Sequence, residues 1–511
     1  MRKRIIQMPA LIFALSLLMS LTSSLVSRTP EAQERLIPPR RHTSKIRAAH
    51  SAQASWVQNY GRFFDDSNDD YDWLFDAQPA WDGGLVLTGT VSHTFLSGRV
   101  VRDALVMEIG PSGGVVWEVL HEAGPHVASY NSANALTRTR DVGYLVVGRA
   151  EKFNSLDNAL LVLKVVPPPG LPDGGRTPYY HYALGPEWVR SYIFVDQGDA
   201  STYADPMDVV ETADGGYVIG GLWGSSGGGS YWLMKLDPLG NVLWHEDIRP
   251  AVASLVATPD AGFIAAGDTN EGDAVQVVKF DSDGRIQWAK TYKETDTDWG
   301  YDDYVYHFSG ISSTMDGGYV LAGDTTGFDC CNDDTTLAWL CKLDPDGSIA
   351  WSKGYNISEI GPILQTADGG YLMPLSSYSS ELMKVDALGS IEWVRSYSGL
   401  YPAVAFQSED GGYMVAGEAE ARLMVMRIDS AGHLDSSCSI ETHGSVTTRE
   451  ARISAVSTTL PAPSENSVQV NVLETAPYPR TCVIRDLCPG SQSTRSRQAG
   501  KPVGKKSPSL N

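Results

Sequence analysis

Two acidic stretches of the chain contain the side chains best suited to bind a metal ion or a ligand. The first is FDDSNDDYD, whose carboxylates are Asp65, Asp66, Asp69, Asp70 and Asp72. Calcium takes carboxylate oxygens as ligands, so a metal in this loop is expected to be calcium, at Asp69, Asp70 and Asp72. The loop lacks the D-x-D-x-D-G spacing of a regular calcium loop. A solvated acidic loop is therefore the other interpretation.

The second stretch, TDTDWGYDD, combines acids with aromatic rings. Its candidate binding residues are Trp299, Tyr301, Asp302 and Asp303. Exposed aromatic rings can stack on a ligand while carboxylates accept its hydrogen bonds. Trp223, which stands next to a Gly/Ser-rich loop in an earlier part of the chain, is a further candidate.

The sequence does not contain the motifs of the common enzyme classes. The segment HEAGPH has three residues between Glu122 and His126, and its Gly-Pro pair prevents the helix that a zinc-protease motif requires. We find no nucleophile elbow, no phosphate-binding glycine loop and no CxxC pair. The sequence therefore favours a binding role over catalysis.

The six cysteines allow disulfides but do not define the fold. Cys330 and Cys331 are adjacent and are candidates for a vicinal disulfide at a loop tip. Cys438, with Cys482 or Cys488, is a candidate for a bridge that ties the C-terminal segment to the repeats. Cys341 lies within an apolar run, where we expect a buried free thiol.

The candidate residues must be positioned by a repeat that occurs seven times. Each copy contains a turn in which Asp is followed two residues later by Gly, as in Asp214 with Gly216. The seven turns start at Trp81, Arg140, Ala213, Pro259, Met315, Ala367 and Glu409. A tight hairpin needs positive φ at one position and gains from a carboxylate that accepts turn amides. We therefore assign these Asp residues to turn structure rather than to catalysis.

A second turn follows later in most repeats, with Trp four residues after its Gly, as in Gly240 and Trp244. The apolar run that precedes this turn carries a basic residue at one fixed position. These residues are Lys164, Lys235, Lys279, Lys342, Lys384 and Arg427, and Glu108 breaks the column. A column that recurs in six repeats is expected to pair with nearby strand or turn carboxylates and to serve the fold.

Four short runs per repeat, with turn signals at both ends, predict an all-β fold: a seven-bladed β-propeller with four antiparallel strands in each blade. The last set of runs has no Trp after its second turn. By contrast, Ser55–Gly61 matches the fourth strand of a repeat, but the first three strands of that repeat do not precede it. We therefore expect the N-terminal strand to close the ring as the fourth strand of the seventh blade, which removes exposed edges.

The two ends of the blades differ in the loops they carry. The first-to-second and third-to-fourth turns share one face, which we call the turn face. The other connections share the variable face, where the expected long loops are 64–72, 92–102, 121–131, 167–182, 295–307 and 325–336. Loops of varied length on a rigid scaffold concentrate binding groups, so we expect a ligand at the variable face.

The segments outside the repeats have their own signatures. Residues 1–27 have a basic start and an apolar run, which predicts a signal peptide and a secreted or extracytoplasmic protein. A membrane anchor is the alternative, but the run is shorter than a span needs. We expect a flexible lead-in at 28–54, the propeller at 55–435, a small C-terminal β appendage at 436–488 and a disordered basic tail at 489–511.

The charge of the chain limits its partners. A formal net charge of -21 excludes nucleic-acid binding through the bulk field of the protein. After signal cleavage we expect no stable membrane span. We expect a monomer with a protein or glycan partner, and no cofactor apart from the calcium considered above.

The phrase DGGYVLAG, followed by WLCKLDPDGSIAW, resembles a group of bacterial and archaeal extracytoplasmic propeller proteins with DGGY-type repeats, most of them without assigned activity. The resemblance covers Ser55 to about Asp435 and implies the propeller repeat, but it implies no particular chemistry. The D-x-x-G-x-x-x-W element also resembles the tryptophan-docking motif of quinoprotein-type propellers. That group includes both dehydrogenases and non-enzymatic scaffolds.

These features predict a secreted propeller that acts as a binding or scaffolding module through its variable face. The alternative is a secreted enzyme on the same scaffold, either a glycan hydrolase or a quinone-dependent oxidoreductase. Two or more carboxylates that converge near the axis would favour the enzyme, because glycan hydrolysis uses an acid and a base.

Overall fold

The computed structural model describes residues 55–61, 72–94, 100–121, 130–151, 158–167, 182–183, 186–194, 203–225, 228–248, 251–269, 272–294, 303–328, 335–375, 380–419, 422–434, 441–443, 448–449, 453–457, 464–465, 468–471 and 483–486. The described residues contain strands and turns and no helix, so none of them provides a helix that could cross a membrane. The predicted signal peptide (1–27), lead-in (28–54) and basic tail (489–511) lie outside them.

Strands β1 to β29 build the ring. In chain order they are β1 (Trp56–Gly61), β2 (Asp72–Pro79), β3 (Leu85–Thr94), β4 (Val100–Ile109), β5 (Val115–His121), β6 (Ser132–Arg138), β7 (Tyr144–Glu151), β8 (Asn158–Val165), β9 (Tyr182–Ala183), β10 (Trp188–Phe194), β11 (Tyr203–Glu211), β12 (Tyr217–Ser225), β13 (Gly228–Leu236), β14 (Val242–Ile248), β15 (Ser254–Ala257), β16 (Phe263–Asp268), β17 (Val275–Phe280), β18 (Ile286–Glu294), β19 (Asp303–Ser313), β20 (Tyr319–Phe328), β21 (Thr335–Leu343), β22 (Ile349–Tyr355), β23 (Leu364–Gln365), β24 (Tyr371–Pro374), β25 (Glu381–Val385), β26 (Ile391–Tyr397), β27 (Tyr401–Gln407), β28 (Tyr413–Ala419) and β29 (Arg422–Ile428).

The strands form seven blades of four antiparallel strands each, which confirms the predicted seven-bladed propeller. From the axis outward the blades are β2-β3-β4-β5, β6-β7-β8-β10, β11 to β14, β15 to β18, β19 to β22, β23 to β26 and β27-β28-β29-β1. We number them blade 1 to blade 7 in that order. The second and third strands are apolar on both faces because each sheet is covered by a neighbour on either side. Leu87, for example, packs between blades 7 and 1, and Val86 packs between blades 1 and 2.

The N-terminal strand closes the ring as the sequence predicts. Strand β1 pairs antiparallel with β29, with Trp56 opposite Arg427 and Tyr60 opposite Leu423. Val57 and Trp56 are buried in the cores on the two sides of blade 7. The two ends of the propeller are therefore joined by hydrogen bonds within one sheet, so the ring has no open seam.

The Asp of each first-to-second turn accepts the amide of the Gly two residues later. Asp214 accepts from Gly216 at 2.9 Å, and Asp368 accepts from Gly370 at 2.9 Å. The residue between them has positive φ, which is why most copies place Gly there. Val142 adopts the same conformation with φ of 65°, at a cost of about 1 kcal/mol. The assignment of these Asp residues to turn structure is confirmed.

The basic column pairs with these turn carboxylates. In blade 4 the Lys279 ammonium donates to both carboxylate oxygens of Asp260, at 2.8 and 2.7 Å, and to Thr258 Oγ1 at 2.9 Å. The other pairs are Lys164 with Asp141, Lys235 with Asp214, Lys342 with Asp316, Lys384 with Asp368 and Arg427 with Asp410. The cation is buried in each case, and the predicted structural role of the column is confirmed.

A threonine that the repeat pattern did not single out completes the cluster in blades 2 to 6. It stands two residues before the Asp and donates to its carboxylate, as Thr314 does to Asp316. In blade 7 Ser408 stands there instead and accepts from Arg427 at 3.2 Å. Burial alone would raise the pKa of Asp316, but hydrogen bonds from Thr314, Lys342 and the Gly318 amide outweigh burial and lower the pKa to about 2. The carboxylate therefore stays charged and keeps the buried ammonium paired.

Blade 1 replaces both the cation and the threonine of the cluster and keeps the turn aspartate, Asp82. Ala80 stands at the threonine position and Glu108 at the lysine position. The Trp117 indole donates to Glu108 at 2.6 Å, and this tryptophan is fully buried. A cation at position 108 would have found no threonine, and a carboxylate there has an indole donor instead. The break in the column is therefore a local exchange of partners.

The repeated Trp residues dock onto the second turn of the next blade. A Cβ on Gly284 would lie 2.9 Å from the Trp244 ring, so the ring occupies the space of a side chain. The Tyr four residues after the Trp strengthens the dock in five blades by donating to the carbonyl of that Gly. These bonds join Tyr60 to Gly113, Tyr192 to Gly240, Tyr292 to Gly347, Tyr355 to Gly389 and Tyr397 to Gly432. The docks link the outer strands of six blades to the next blade.

The C-terminal segment runs around the outside of the ring. Its strands are β30 (Glu441–His443), β31 (Thr448–Arg449), β32 (Ile453–Ser457), β33 (Ser464–Glu465), β34 (Val468–Asn471) and β35 (Val483–Asp486). They add antiparallel fifth strands to blades 6, 5, 4, 3, 2 and 7 in that order. Each pairs with the end of the outer strand nearest the variable face, as β32 does with residues 290–294. The predicted C-terminal β structure is thus spread along this rim, and we call it the belt.

Blade 1 takes its fifth strand from a different part of the chain. Strand β9 pairs in parallel with β5, with Tyr182 opposite Trp117. This strand belongs to the insertion between the third and fourth strands of blade 2, so the sequence assignment of loop 167–182 to the variable face was wrong. The insertion replaces the turn onto which Trp117 would dock, and only the strand order of blade 2 reveals its place.

Replacing Lys279 by Met should lower the free energy of unfolding by about 2 kcal/mol, because Asp260 and Thr258 lose a buried charged donor. Lys293→Met is the matched control, since Lys293 pairs with Asp273 at 3.0 Å but both side chains are about half exposed. It should cost less than about 1 kcal/mol. Denaturant titration measures both, and equal losses would contradict a structural role for the buried cluster.

Ending the chain at Leu434 should lower the melting temperature by roughly 5 °C or more, because six blades lose a hydrogen-bonded strand. The uncovered edges should also promote association, visible by size-exclusion chromatography. A chain that ends at Asp486 keeps β30 to β35 and is expected to behave like the full chain. If the two truncated chains have the same melting temperature, the belt does not stabilise the ring.

Candidate functional site

The structure places the predicted binding residues as follows. Asp65, Asp66, Asp69, Asp70, Trp299, Tyr301 and Asp302 lie outside the described residues. Asp303 begins β19, and Asp72 begins β2 as a buried residue. Trp223 lies near the end of β12, and its indole donates to Asp247 at 3.0 Å. Asp72, Trp223 and Asp303 therefore stand at the variable-face ends of three different blades.

Most residues of the predicted metal site and of the predicted disulfides are not among the described residues. Asp69 and Asp70, and Cys330, Cys331, Cys438 and Cys482, lie outside them. Within the described residues no group of three or more His, Cys, Asp or Glu side chains is arranged to hold a metal ion. Cys341 is buried and free as predicted, and burial raises the pKa of its thiol.

The described part of the variable face contains an arginine between two aromatic rings. The guanidinium carbon of Arg102 lies 4.5 Å from the centroid of the Trp73 ring and 4.9 Å from that of Tyr130. Trp73 and Arg102 belong to blade 1, whereas Tyr130 immediately precedes blade 2. We call these three residues the Arg102 cluster. A cation held against two ring faces is fixed in orientation before any ligand arrives.

Hydrogen bonds beneath the Arg102 cluster fix its backbone. The Asn131 amide donates to the Arg102 carbonyl at 2.9 Å, and the Asn131 side chain donates to the His121 carbonyl at 3.4 Å. The His121 ring is held neutral, because burial lowers its pKa more than the buried Asp103 carboxylate raises it. Tyr130 remains 41% exposed, so one ring of the cluster stays open to a ligand.

The sequence analysis did not identify the Arg102 cluster. Trp73 follows the first acidic loop directly, Arg102 closes one predicted variable loop, and Tyr130 ends another. The sequence does show that aromatic and arginine residues stand at strand ends beside long loops. It does not show that these three strand ends meet, because they come from separate strands of two blades.

Two carboxyls, Asp76 and Asp208, lie on the innermost strands of the ring, and we call them the channel carboxyls. A β-bulge interrupts β2 between Leu74 and Asp76, and another interrupts β11 between Pro206 and Asp208. The residues skipped by the two bulges are exposed: Phe75 is 51% exposed and Met207 is 46% exposed.

Each channel carboxyl accepts backbone amides from the next blade in the described ring. Asp76 accepts from its own neighbour Ala77 at 2.7 Å and from Leu136 of blade 2 at 2.9 Å. Asp208 accepts from Leu255 of blade 4 at 2.6 Å and from Ser254 Oγ at 3.1 Å. The two carboxyls thus hold neighbouring inner strands together.

The pKa values of these carboxyls are raised. Burial raises the pKa of Asp76 to about 8 against the opposing effect of the Leu136 amide, and the charge of Asp208 adds to the rise. Burial raises the pKa of Asp208 to about 6, although three hydrogen bonds oppose it. The pKa of Asp324, near the variable-face end of blade 5, is raised to about 6, and burial is the largest cause. Groups with such values can exchange protons near neutral pH.

No protein-family model matches the chain, and neither does the sequence of any curated protein. Solved structures with some likeness include YCF48 bound to D1 peptide, at 9% identity over 74% of this chain and 98% of that chain, with a TM-score of 0.38. They also include the Penicillium chrysogenum alpha-L-arabinanase complexed with arabinobiose (9% identity, 75% and 100% covered, TM-score 0.40) and the polysaccharide lyase Uly1 (10% identity, 74% and 98% covered, TM-score 0.38). Likeness at this level assigns neither a ligand nor a reaction.

The channel carboxyls should make the protein less stable as the pH rises. A carboxyl with a raised folded-state pKa binds its proton more tightly in the folded protein than in the unfolded chain. Its stabilising contribution to the free energy of unfolding is therefore largest below about pH 4. For Asp76 the contribution is lost as the pH rises toward about 8. The melting temperature should therefore fall between pH 5 and pH 8, and Asp76→Asn should flatten this fall.

Asn at position 76 keeps one oxygen for the Leu136 amide but loses the acceptor that the Ala77 amide uses. The melting temperature of this variant is therefore expected to be lower at every pH, and the slope of its melting temperature against pH is what reports the titration. Asp283→Asn, on an exposed turn of blade 4, is the control and should leave the pH dependence of the wild type unchanged. Differential scanning calorimetry at several pH values measures all three proteins. An unaltered slope in Asp76→Asn would show that this carboxyl does not titrate in that range.

Proposed function

We propose that the protein is a secreted binding or scaffolding module that holds a protein or glycan ligand at its variable face. The observation that carries the proposal is the Arg102 cluster, an arginine fixed between Trp73 and Tyr130 at the ends of blades 1 and 2. Arginine, tryptophan and tyrosine are the residue types that most often dominate binding energy in interfaces.

The chemistry of the cluster suits a ligand that carries a polar group beside an apolar surface. The exposed ring of Tyr130 offers a stacking surface, and a guanidinium presents donors in a fixed fork that suits carboxylate or carbonyl oxygens. Because Arg102 is already ordered by the two rings, little side-chain entropy is lost when a ligand binds. The acidic stretch that precedes Trp73 in the sequence contains Asp69, Asp70 and Asp72, and calcium bound there would add contacts to the ligand.

The distribution of structural contacts supports the same face. The Lys-Asp-Thr clusters occupy the first-to-second turns, and the Trp docks occupy the second turns, all on the turn face. The belt adds strands along the rim of the variable face without using the described loop ends inside that rim. Most repeated residues of the turn face are thus committed to the ring, and the variable face is left for a ligand.

A glycan hydrolase is the second candidate, and the channel carboxyls are the observation that favours it. Asp76 and Asp208 lie on the innermost strands of blades 1 and 3, close enough for the charge of Asp208 to raise the pKa of Asp76, and their raised pKa values suit an acid and a base. Each also has a structural task as an acceptor of backbone amides, which explains its burial without catalysis. The Trp residues on which the quinoprotein resemblance rests pack against turn glycines of the next blade. Their structural role explains their spacing, so quinone-dependent oxidation has less support.

An array of defined glycans, together with a library of displayed peptides, tests the binding proposal. The wild-type protein should enrich a defined set of ligands, and the double variant Arg102→Ala/Tyr130→Ala should bind that set at least about tenfold more weakly. Arg285→Ala removes an exposed arginine from the turn face and should bind like wild type.

Folding of each variant is checked by circular dichroism before the arrays are read. Unchanged binding by the double variant would exclude the Arg102 cluster as the ligand site. Release of sugars from array glycans by wild type, but not by Asp76→Asn/Asp208→Asn, would instead establish the hydrolase.

A further inference from the structure

A cavity of about 340 Å³ opens on the turn face among the first-to-second turns of blades 2 to 5. Its wall includes Arg140, Ala213, Ala257, Pro259, Ser313 and Tyr319. The cavity lies at the opposite end of the ring from the Arg102 cluster. Its presence needs a cause, because the turns around it belong to the most regular part of the repeat.

At three other blade junctions, between blades 2 and 3, 5 and 6, and 6 and 7, a long polar side chain covers the corresponding place. The residue just before the turn threonine reaches back to the preceding blade and accepts the amide of the residue after that blade's threonine. Gln365 accepts from Met315 at 2.7 Å, Gln407 accepts from Ala367 at 2.6 Å, and Glu211 accepts from Arg140 at 2.9 Å. We call these side chains the junction caps. The two glutamines also donate to a carbonyl of their own turn, at 3.3 and 3.5 Å.

The cavity lies where two successive junction caps are missing. Ala257 stands at the cap position of blade 4 and is too short to reach the Ala213 amide of blade 3. Ser313 stands at the cap position of blade 5, where no cap is needed because Pro259 has no amide hydrogen. Ala213 lines the cavity and no junction cap covers its amide, whereas the corresponding amides of Arg140, Met315 and Ala367 are each covered by a cap.

We propose that this cavity binds the carboxamide of a glutamine side chain presented by a partner peptide. The ring itself shows the fit, because the two glutamine caps place their oxygen on the amide that corresponds to Ala213. A volume of about 340 Å³ also leaves room for the peptide backbone on either side, and it is within the range of small ligand sites.

The charges in the wall favour a neutral group over an anion. Arg140 supplies the cation of the wall and Glu211 the carboxylate, and the two lie 3.9 Å apart. The Arg140 guanidinium also donates to the Ala213 carbonyl, so it is already engaged. Tyr319 is only 3% exposed and offers no ring face for a sugar to stack on, which favours a peptide over an acetamido sugar.

Two substitutions separate the site from the fold. Ala257→Gln supplies the missing cap from within the chain and should fill the cavity. Ala213→Pro removes the amide donor at a turn position that already accepts proline, since Pro259 occupies it in blade 4. Pro79→Gln introduces a glutamine at the cap position of blade 1, away from the cavity, and serves as the control.

Nuclear magnetic resonance of the full chain labelled with ¹⁵N-alanine, titrated with the tripeptide Gly-Gln-Gly, tests the proposal. The Ala213 amide resonance should shift with a millimolar dissociation constant, as expected for one side chain. Gly-Ala-Gly should cause no such shift. Ala257→Gln and Ala213→Pro should each weaken binding of Gly-Gln-Gly by at least about tenfold, measured by ligand-observed saturation transfer, and Pro79→Gln should bind like wild type.

Absence of any response to Gly-Gln-Gly would overturn the proposal, and so would binding that survives in Ala257→Gln. N-acetylglucosamine is titrated in parallel, and a response to the sugar but not to the tripeptide would reject the peptide in favour of a glycan. The readout is independent of the variable face, so the outcome stands whether or not the Arg102 cluster binds a ligand.

Discussion

The buried ion pair between a third-strand cation and its turn aspartate is the contact on which this ring depends. A lysine ammonium in the core would be costly unless charged donors and acceptors surround it. The turn supplies a carboxylate fixed by a glycine amide and, in blades 2 to 4, a threonine hydroxyl that accepts from the ammonium. The pair ties the first-to-second turn to the third strand, so three strands of one blade are locked at the turn face.

The contacts between blades follow from this locked end. Once the turns are fixed, the outer-strand Trp and Tyr find the glycine of the next blade at a constant position, and the docks repeat around the ring. Strand β1 and the belt complete the assembly from the two ends of the chain. Blade 7 shows this best, because β1 lies between β29 and β35, which come from distant parts of the sequence.

Departures from the repeat are more informative about function than the repeat itself. In blade 1 the departure is explained within the fold, because Glu108 and Ala80 change together and Trp117 takes over the bonding. At Ala257 the missing cap has no replacement within the chain, and a cavity remains. The Arg102 cluster is a departure of another kind, because no other described blade places an arginine between two rings at its variable-face end. Contacts within the chain account for the first departure, and the other two are the observations on which the two binding proposals rest.

The sequence by itself determined the seven blades, the closing strand, the turn aspartates and the basic column. The blades, the turn aspartates and the basic column rest on contacts between residues at short spacings that recur in six or seven copies. The closing strand could be predicted because the segment around Trp56 matches the fourth strand of the other repeats. The sequence also marked the variable loops, but it put loop 167–182 on the wrong face because an insertion hides the strand order of blade 2. Only the tertiary structure brought Trp73, Arg102 and Tyr130 together, wrapped the belt around the ring and left the cavity beside Ala257. Each of these joins residues from separate blades or chain ends, and no periodic spacing in the sequence records such contacts.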